Sequence, residues 1–396
     1  MAKAKLSKAD PIRTALVGLG DQGHGCLHAM RLMSEDFEIV GLSDKHQEVL
    51  KNLAKRYEVD RTTTDWKEFL DDETIDFMYF ATPGDRHSEN ILESLRAGKH
   101  VYIEKPAANN INDCQTALEL AQEKNLLVMV CMNVRHYWPN SVIKHALEEG
   151  MLGDIFYVQM DYIHDVRYCL MPDSPRFKKT YFADQQKANY FYEASCHPID
   201  TLMWMFGPIA RVWAQESEGI ISRVWQGRLV PSDCVSVEVE FAKPNLIGRS
   251  LTLLGYCGDR PSKFYGITIC GTQGSALPDG VFLVKDNPDY EQVHDPDRQV
   301  KLEYEKLGTE WGITTDPPVP YEYKPGDPSH VACHLKLLPR LVTAIRQGRR
   351  AVEPGLLSNA MVMSVMEACV RSLKTKNQEQ VDYEPMQYFI DRLPGV

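Results

Sequence analysis

An apolar run ending in three glycines constrains this chain more than any other feature. Ala15-Leu16-Val17 leads into Gly18-Leu19-Gly20-Asp21-Gln22-Gly23, a G-x-G-x-x-G spacing. Each glycine has its own reason. The first permits the tight turn out of a strand, the second lets the backbone approach a pyrophosphate, and the third lets the following helix pack closely on the sheet. Free N–H groups at the start of that helix then face the phosphates. Residues 12–17 read as a buried parallel strand, and Phe37-Glu38-Ile39-Val40-Gly41-Leu42-Ser43 as a second one, ending at Asp44. Asp44 stands 21 residues beyond Gly23. A carboxylate there accepts hydrogen bonds from the adenosine ribose hydroxyls and repels a 2′-phosphate, which favours NAD over NADP. A plainer reading has Asp44 capping the helix that begins near Lys45.

Downstream, strands and helices continue to alternate. The pattern predicts helices over 45–57 and 66–71, a buried strand over 75–81 and a loop at Thr82-Pro83-Gly84. A helix over 86–97 closed by Gly98 follows, then a strand over 100–103, Glu104-Lys105-Pro106, a helix over 111–124 and a strand over 126–131. Such alternation gives an open parallel sheet, with ligands bound beyond the carboxyl ends of its strands, where Thr82, Pro83, Glu104, Lys105 and Asn133 emerge. After a helix over 139–150 the pattern changes. Runs at 155–163, 209–215, 235–241, 248–254 and 265–270 are strand-like with few helices between them, predicting a mainly antiparallel sheet with helices near 198–206, 329–346 and 356–374. The expected division is a Rossmann domain over 1–133 and an α+β domain for substrate binding and oligomerisation over 134–396. Residues 279–328, rich in Pro, Asp and Tyr, are expected to wrap the surface. The tail from residue 377 is expected to cover either its own sheet or a neighbour.

Composition narrows the function. Forty-four basic against 55 acidic residues give a net charge of −11, which offers nucleic acid no electrostatic support. No long apolar run predicts a membrane span, and the basic start, Met1 to Lys8, lacks the apolar core of a signal peptide. Ten scattered cysteines without a C-x-x-C pair suit a reducing cytoplasm and give no zinc motif. His24/His28 and His330/His334 have the i, i+4 spacing of metal ligands but no evident third ligand, so each reads as a helix face and no metal is expected.

Gly18-x-Gly20-x-x-Gly23, Asp44, Ala81-Thr82-Pro83 with His87, Glu104-Lys105-Pro106, Asn133-x-Arg135, Leu152-Gly153 and His197-x-x-Asp200 before Trp204 and Gly207 together resemble the glucose-fructose oxidoreductase/inositol dehydrogenase (Gfo/Idh/MocA) family. The resemblance runs from about residue 12 to about 375. It implies a Rossmann domain joined to an open-faced sheet domain, a bound nicotinamide cofactor, and oxidation or reduction of a sugar or cyclitol hydroxyl. It also implies a cis bond before Pro106 and a homodimer or homotetramer assembled through the sheet face. The cofactor residues would be Gly18, Leu19, Gly20, Asp21, Gln22, Gly23, Asp44, Thr82, Pro83, His87, Glu104, Lys105 and Asn133.

Oxidising a secondary alcohol needs a hydride acceptor on one side of the carbon and a base for the hydroxyl proton. The resemblance gives these roles to Lys105, which stabilises developing oxyanion charge, and His197, which takes the proton. Without it, Lys105 is a surface lysine after a strand and His197 a residue near a helix start. Glu193 stands four residues before His197, where family dehydrogenases commonly have Asp; on a helix that spacing shares a face, so Glu193 is a third catalytic candidate. A polar, aromatic insertion runs from His164 to Tyr192 and includes Asp165, Arg167, Tyr168, Arg176, Phe177, Lys178, Tyr181, Phe182, Tyr190 and Phe191. Its aromatic faces suit the C–H faces of a pyranose ring, although they equally suit loop packing. Candidate substrate residues are Arg135, Tyr162, His164, Arg167, Tyr192, Glu193 and His197. Three functions compete: an NAD-dependent dehydrogenase of a sugar, glycoside or cyclitol ring hydroxyl; glycoside cleavage by oxidation, elimination and reduction; and a non-catalytic NAD-binding regulator.

Overall fold

The computed structural model describes residues 10–108, 110–137, 139–171, 190–224, 232–255, 263–284, 299–313, 322, 324, 327–328 and 330–393. They fall into two compact units. One is Met1–Asn133 with Asp316–Ala360 and Glu384–Val396, and the other is Val134–Thr315 with Met361–Tyr383.

The N-terminal unit begins β1 (Ile12–Val17), α1 (Asp21–Leu32), β2 (Phe37–Ser43), α2 (Gln47–Tyr57), β3 (Thr62–Thr63), β4 (Phe77–Phe80), α3 (His87–Arg96), β5 (His100–Ile103), α4 (Ile111–Lys124) and β6 (Val128–Val130). The six strands pair in parallel in the order β3-β2-β1-β4-β5-β6. The order reverses beside β1, which makes the space beyond its carboxyl end the switch point of a doubly wound sheet. All four residues of β4 are fully buried, as expected of a strand covered on both faces. The segment 66–71, expected to be a short helix, is a 3-10 turn over Trp66–Phe69 capped by Asp65.

The second unit holds α5 (Asn140–Glu148), β7 (Ile155–His164), α6 (Arg167–Leu170), α7 (Tyr190–Phe206), β8 (Ile209–Ser217), α8 (Ile220–Val224), β9 (Cys234–Phe241), β10 (Ile247–Leu253), β11 (Lys263–Gly271), β12 (Gly274–Leu277), β13 (Gly280–Val284), β14 (Gln299–Leu302) and α9 (Tyr304–Glu310). The chain continues through α10 (Val331–Gln347), α11 (Leu356–Thr375), β15 (Glu379–Gln380) and α12 (Gln387–Ile390). The nine-stranded sheet runs β14-β13-β12-β11-β7-β10-β9-β8-β15 and is antiparallel except where β7 and β10 pair in parallel. On one face Val158, Met160, Val235 and Val237 are buried, and α7 packs against β7 and β10.

Three sequence expectations change. Residues 279–328 do more than wrap the surface: β13, β14 and α9 lie within them, the two strands extending the sheet edge. The segment 316–360 does not follow the second domain. Val331, Leu335, Leu338 and Leu341 on α10 join Leu16, Leu27 and Met30 in the N-terminal core. The final residues also belong to that unit, burying Met386 and Phe389, while Tyr383 donates to the Ile209 carbonyl (2.9 Å) in the second. Finally, α11 is long and apolar enough to cross a membrane by length and composition. Yet 83% of its most apolar stretch is buried within the protein, as in a core helix.

Candidate functional site

In the N-terminal unit the glycine turn is built as its spacing demands. Gly18 takes φ 82°, and a Cβ there would come within 2.4 Å of the Ala81 carbonyl. A Cβ on Gly23 would lie 1.8 Å from the Gly18 carbonyl, so only glycine lets α1 seat against the turn. Gly20, by contrast, faces open space. It is the N-cap of α1 and is extended, with no side-chain cap, so the start of the helix presents its first amides as an anion site would. A cradle of this kind fits a dinucleotide phosphate.

Asp44 serves both of its sequence readings. One carboxylate oxygen accepts from the Leu19 amide (2.7 Å), bracing the glycine turn, and the other accepts from the His46 amide (2.8 Å) just before α2. Unused lone pairs on both oxygens can still meet ribose hydroxyls.

Three strand-end segments complete this half. After β4, the Thr82 hydroxyl bonds the Asn90 side chain (2.5 Å) and Pro83 leads into a 3-10 turn. After β5 comes Glu104-Lys105-Pro106, with a cis bond before Pro106. After β6, Asn133 is buried at the start of another 3-10 turn. His87, the first residue of α3, is buried with both ring nitrogens on backbone carbonyls: Nδ1 lies 2.6 Å from Pro106 O and Nε2 2.9 Å from Thr82 O. Asn359 Oδ1 accepts from the Ala107 amide (3.0 Å) from 252 residues away, a support that no local pattern announces.

Glu104 turns into the protein. It accepts from the Tyr79 hydroxyl (3.3 Å), and burial raises its pKa, which favours the neutral acid despite the opposing Lys105 charge. Around it, the Tyr102 hydroxyl donates to Cys131 Sγ (3.2 Å) or to His334 Nδ1 (2.9 Å). Here the sequence expectation fails, because His334 does have possible co-ligands: its ring, Glu104 and Cys131 bring ligand atoms within 4.8 Å of one another. Tyr102 bonds two of the three, and the cluster reads as a dry hydrogen-bonded one. Burial pushes His334 down to about 3. His24 and His28 share the Tyr57 hydroxyl (3.0 and 2.9 Å).

In the second unit, α7 carries Glu193 and His197 one turn apart, so the two share a helix face as the spacing requires. Ser195 on the same helix is fixed to Thr252 of β10 (2.7 Å between hydroxyls). Thr252 registers with Tyr162 of β7, and the Tyr162 ring stacks on His197, centroids 5.8 Å apart at 11°. Tyr162 also bonds His164 Nδ1 through its hydroxyl (3.1 Å). Structure thus brings Tyr162, His164 and His197 together.

Other candidates are otherwise engaged. Arg135, buried, forks onto Asp200 with Nε 2.7 Å and Nη2 2.6 Å from the two carboxylate oxygens. Asp200 was visible only as a motif residue. Arg167 makes the same fork onto Asp165 (2.7 and 2.6 Å). Tyr192 is buried, in electrostatic range of Glu367 and Arg371 on α11, and burial raises its hydroxyl pKa. Arg176, Phe177, Lys178, Tyr181 and Phe182 lie outside the described residues, as do the side chains of Tyr168 and Tyr190.

Comparison with known proteins places the chain in a family. Residues 12–132 match an oxidoreductase family model with an NAD-binding Rossmann fold, and residues 144–381 match that family's C-terminal alpha/beta domain. A levoglucosan dehydrogenase of Pseudarthrobacter phenanthrenivorans is 28% identical over 188 residues, 47% of each chain. A glycosyl hydrolase family 109 protein of Shewanella baltica is 21% identical over 207 residues, 50% of this chain and 45% of that one. The matches thus span about half the length of these curated relatives. Among solved structures, a levoglucosan dehydrogenase with NADH and levoglucosan superposes with a TM-score of 0.75 at 21% identity, covering 94% of this chain and 100% of that one. The WlbA dehydrogenase of Bordetella pertussis with NADH and UDP-GlcNAcA gives 0.72 at 18% identity, covering 94% and 98%. With both family models matched and the glycine cradle in place, the chain belongs to the Gfo/Idh/MocA oxidoreductase family and carries its NAD-binding Rossmann domain.

Proposed function

We propose that this protein transfers a hydride between NAD and a secondary ring hydroxyl of a sugar, glycoside or cyclitol, with C3 of a glucoside the first position to test. The observation that carries the reading is Lys105, which leaves the carboxyl end of β5 in the unit that holds the glycine cradle. Bound NAD supplies the hydride acceptor. Lys105 holds its proton toward the reacting oxygen and stabilises the alkoxide charge that develops there. His197, its ring held by the stack on Tyr162, takes the hydroxyl proton and returns it in the reverse direction. Glu193, on the same face of α7, orients the imidazole or bonds a substrate hydroxyl. Tyr162 and His164 offer an aromatic face and polar groups for a pyranose. The levoglucosan dehydrogenase relative supports a sugar-like substrate. We also propose cytoplasmic function and assembly through the second sheet, where Trp213 and Ile247 are exposed on the face opposite α7; sedimentation of a Trp213→Glu variant as a monomer would support the latter.

A second reading has support from the family 109 relatives and from Glu193 beside His197: redox cleavage of a glycoside. NAD and the purified protein should be offered levoglucosan, methyl and aryl glucosides and inositols. Accumulating NADH supports dehydrogenation. Aglycone released without net NADH supports cleavage, and neither product with any of them counts against both.

A further inference from the structure

The ring of His87 meets two groups that can only accept. Pro106 O lies 2.6 Å from Nδ1 and Thr82 O 2.9 Å from Nε2. A neutral imidazole has one N–H, so it can satisfy one carbonyl while turning a lone pair on the other. An imidazolium donates to both, and charge-assisted bonds run short, as the 2.6 Å contact does. The carbonyls belong to the loops after β4 and β5, the second of which carries Lys105. We propose that His87 is a positioning residue that ties these two loops together, fully so only when its ring carries the second proton. The ring is buried, with both nitrogens on these two carbonyls.

The groups facing the ring define where this happens. Burial opposes the charge most strongly, and the Lys105 ammonium opposes it too, as does the N-terminus of α3, where His87 stands. The two carbonyls and Asp85 favour it. Their balance holds His87 below the ordinary histidine range. At neutral pH the ring therefore carries one proton and grips one loop, and acidification closes the second grip.

The proposal needs NAD binding but not the substrate reading, so its test uses cofactor binding alone. NADH affinity is measured by fluorescence from about pH 8 down to about pH 5, below the ordinary histidine range, for the wild type and His87→Gln, whose amide can donate to one carbonyl but cannot titrate. The wild type is expected to bind roughly three- to tenfold more tightly at the acid end, taking up a proton, while His87→Gln gives a flat profile. A flat wild-type profile, or the same inflection in His87→Gln, overturns the proposal. A merely structural His87 would weaken binding equally at every pH. Should His87→Gln fail to fold, nitrogen NMR of the wild-type imidazole decides. Both nitrogens protonated at the acid end supports the tie, and one nitrogen bare throughout the folded range refutes it.

Discussion

Arg135 and Asp200 show how a single pair can outweigh its surroundings. Both are buried and joined at 2.6 and 2.7 Å, so removing one partner strands a charge in a dry interior. Asp200→Ala should therefore cost about 3–5 kcal/mol, read from denaturant unfolding, whereas Arg135→Met with Asp200→Leu should recover much of that loss. A second consequence concerns His334. Its folded pKa, about 3, lies below the unfolded value near 6.5, so the unfolded state binds the proton more readily. Stability is thus full above about pH 6.5 and falls as pH drops toward 3. By pH 5 the loss from this group should reach about 2 kcal/mol, and a His334→Gln variant should show a shallower acid slope in thermal melts. The sequence shows His334 only as one of a helix-spaced pair. Its partner Tyr102 is 232 residues away, and no periodicity relates them.

The first β-α-β element was the most legible, because each glycine answers a local steric demand. Gly23→Ala would place a methyl 1.8 Å from the Gly18 carbonyl. The turn must then open, and NADH binding should weaken at least about tenfold in a fluorescence titration, while Gly20→Ala, facing open space, tests the cofactor approach alone. Legibility followed hydrophobic pattern. Apolar runs announce strands buried on both faces, such as β4, and the pattern also announces α10 and α11. β13 and β14 were missed: they are short and set in a Pro- and Asp-rich stretch, and they owe their pairing to one another and to β12 rather than to a strong local preference. Likewise α7 starts eight residues before the expected helix, since Pro198 read as a helix start but sits inside it.

Across the whole molecule, chain order and unit membership part company. The boundary after residue 133 coincides with the end of the first alternating run, but α10 and the last residues return to the N-terminal unit. That return depends on which apolar faces complete which core, information spread over 300 residues. Phe389 is 2% exposed, so Phe389→Ala should cost about 3–5 kcal/mol and lower the melting temperature although it lies far from any proposed chemistry. The two units are likewise readable to different degrees. The roles proposed for the glycine turn, Asp44 and Lys105 rest on short motifs, whereas the stack of Tyr162 on His197 exists only through the β7–β10 register and the seat of α7. On the proposed function, Lys105 and His197 act in an NAD-dependent alcohol oxidation rather than merely holding the fold. The most direct measurement is the initial rate of NADH formation by the wild type, Lys105→Ala and His197→Ala on a substrate the wild type oxidises, with NADH affinity measured alongside. Rates are expected to fall at least about a hundredfold in each variant while NADH affinity stays within about threefold. Variants that turn over as fast as the wild type would show that neither side chain takes part in the reaction.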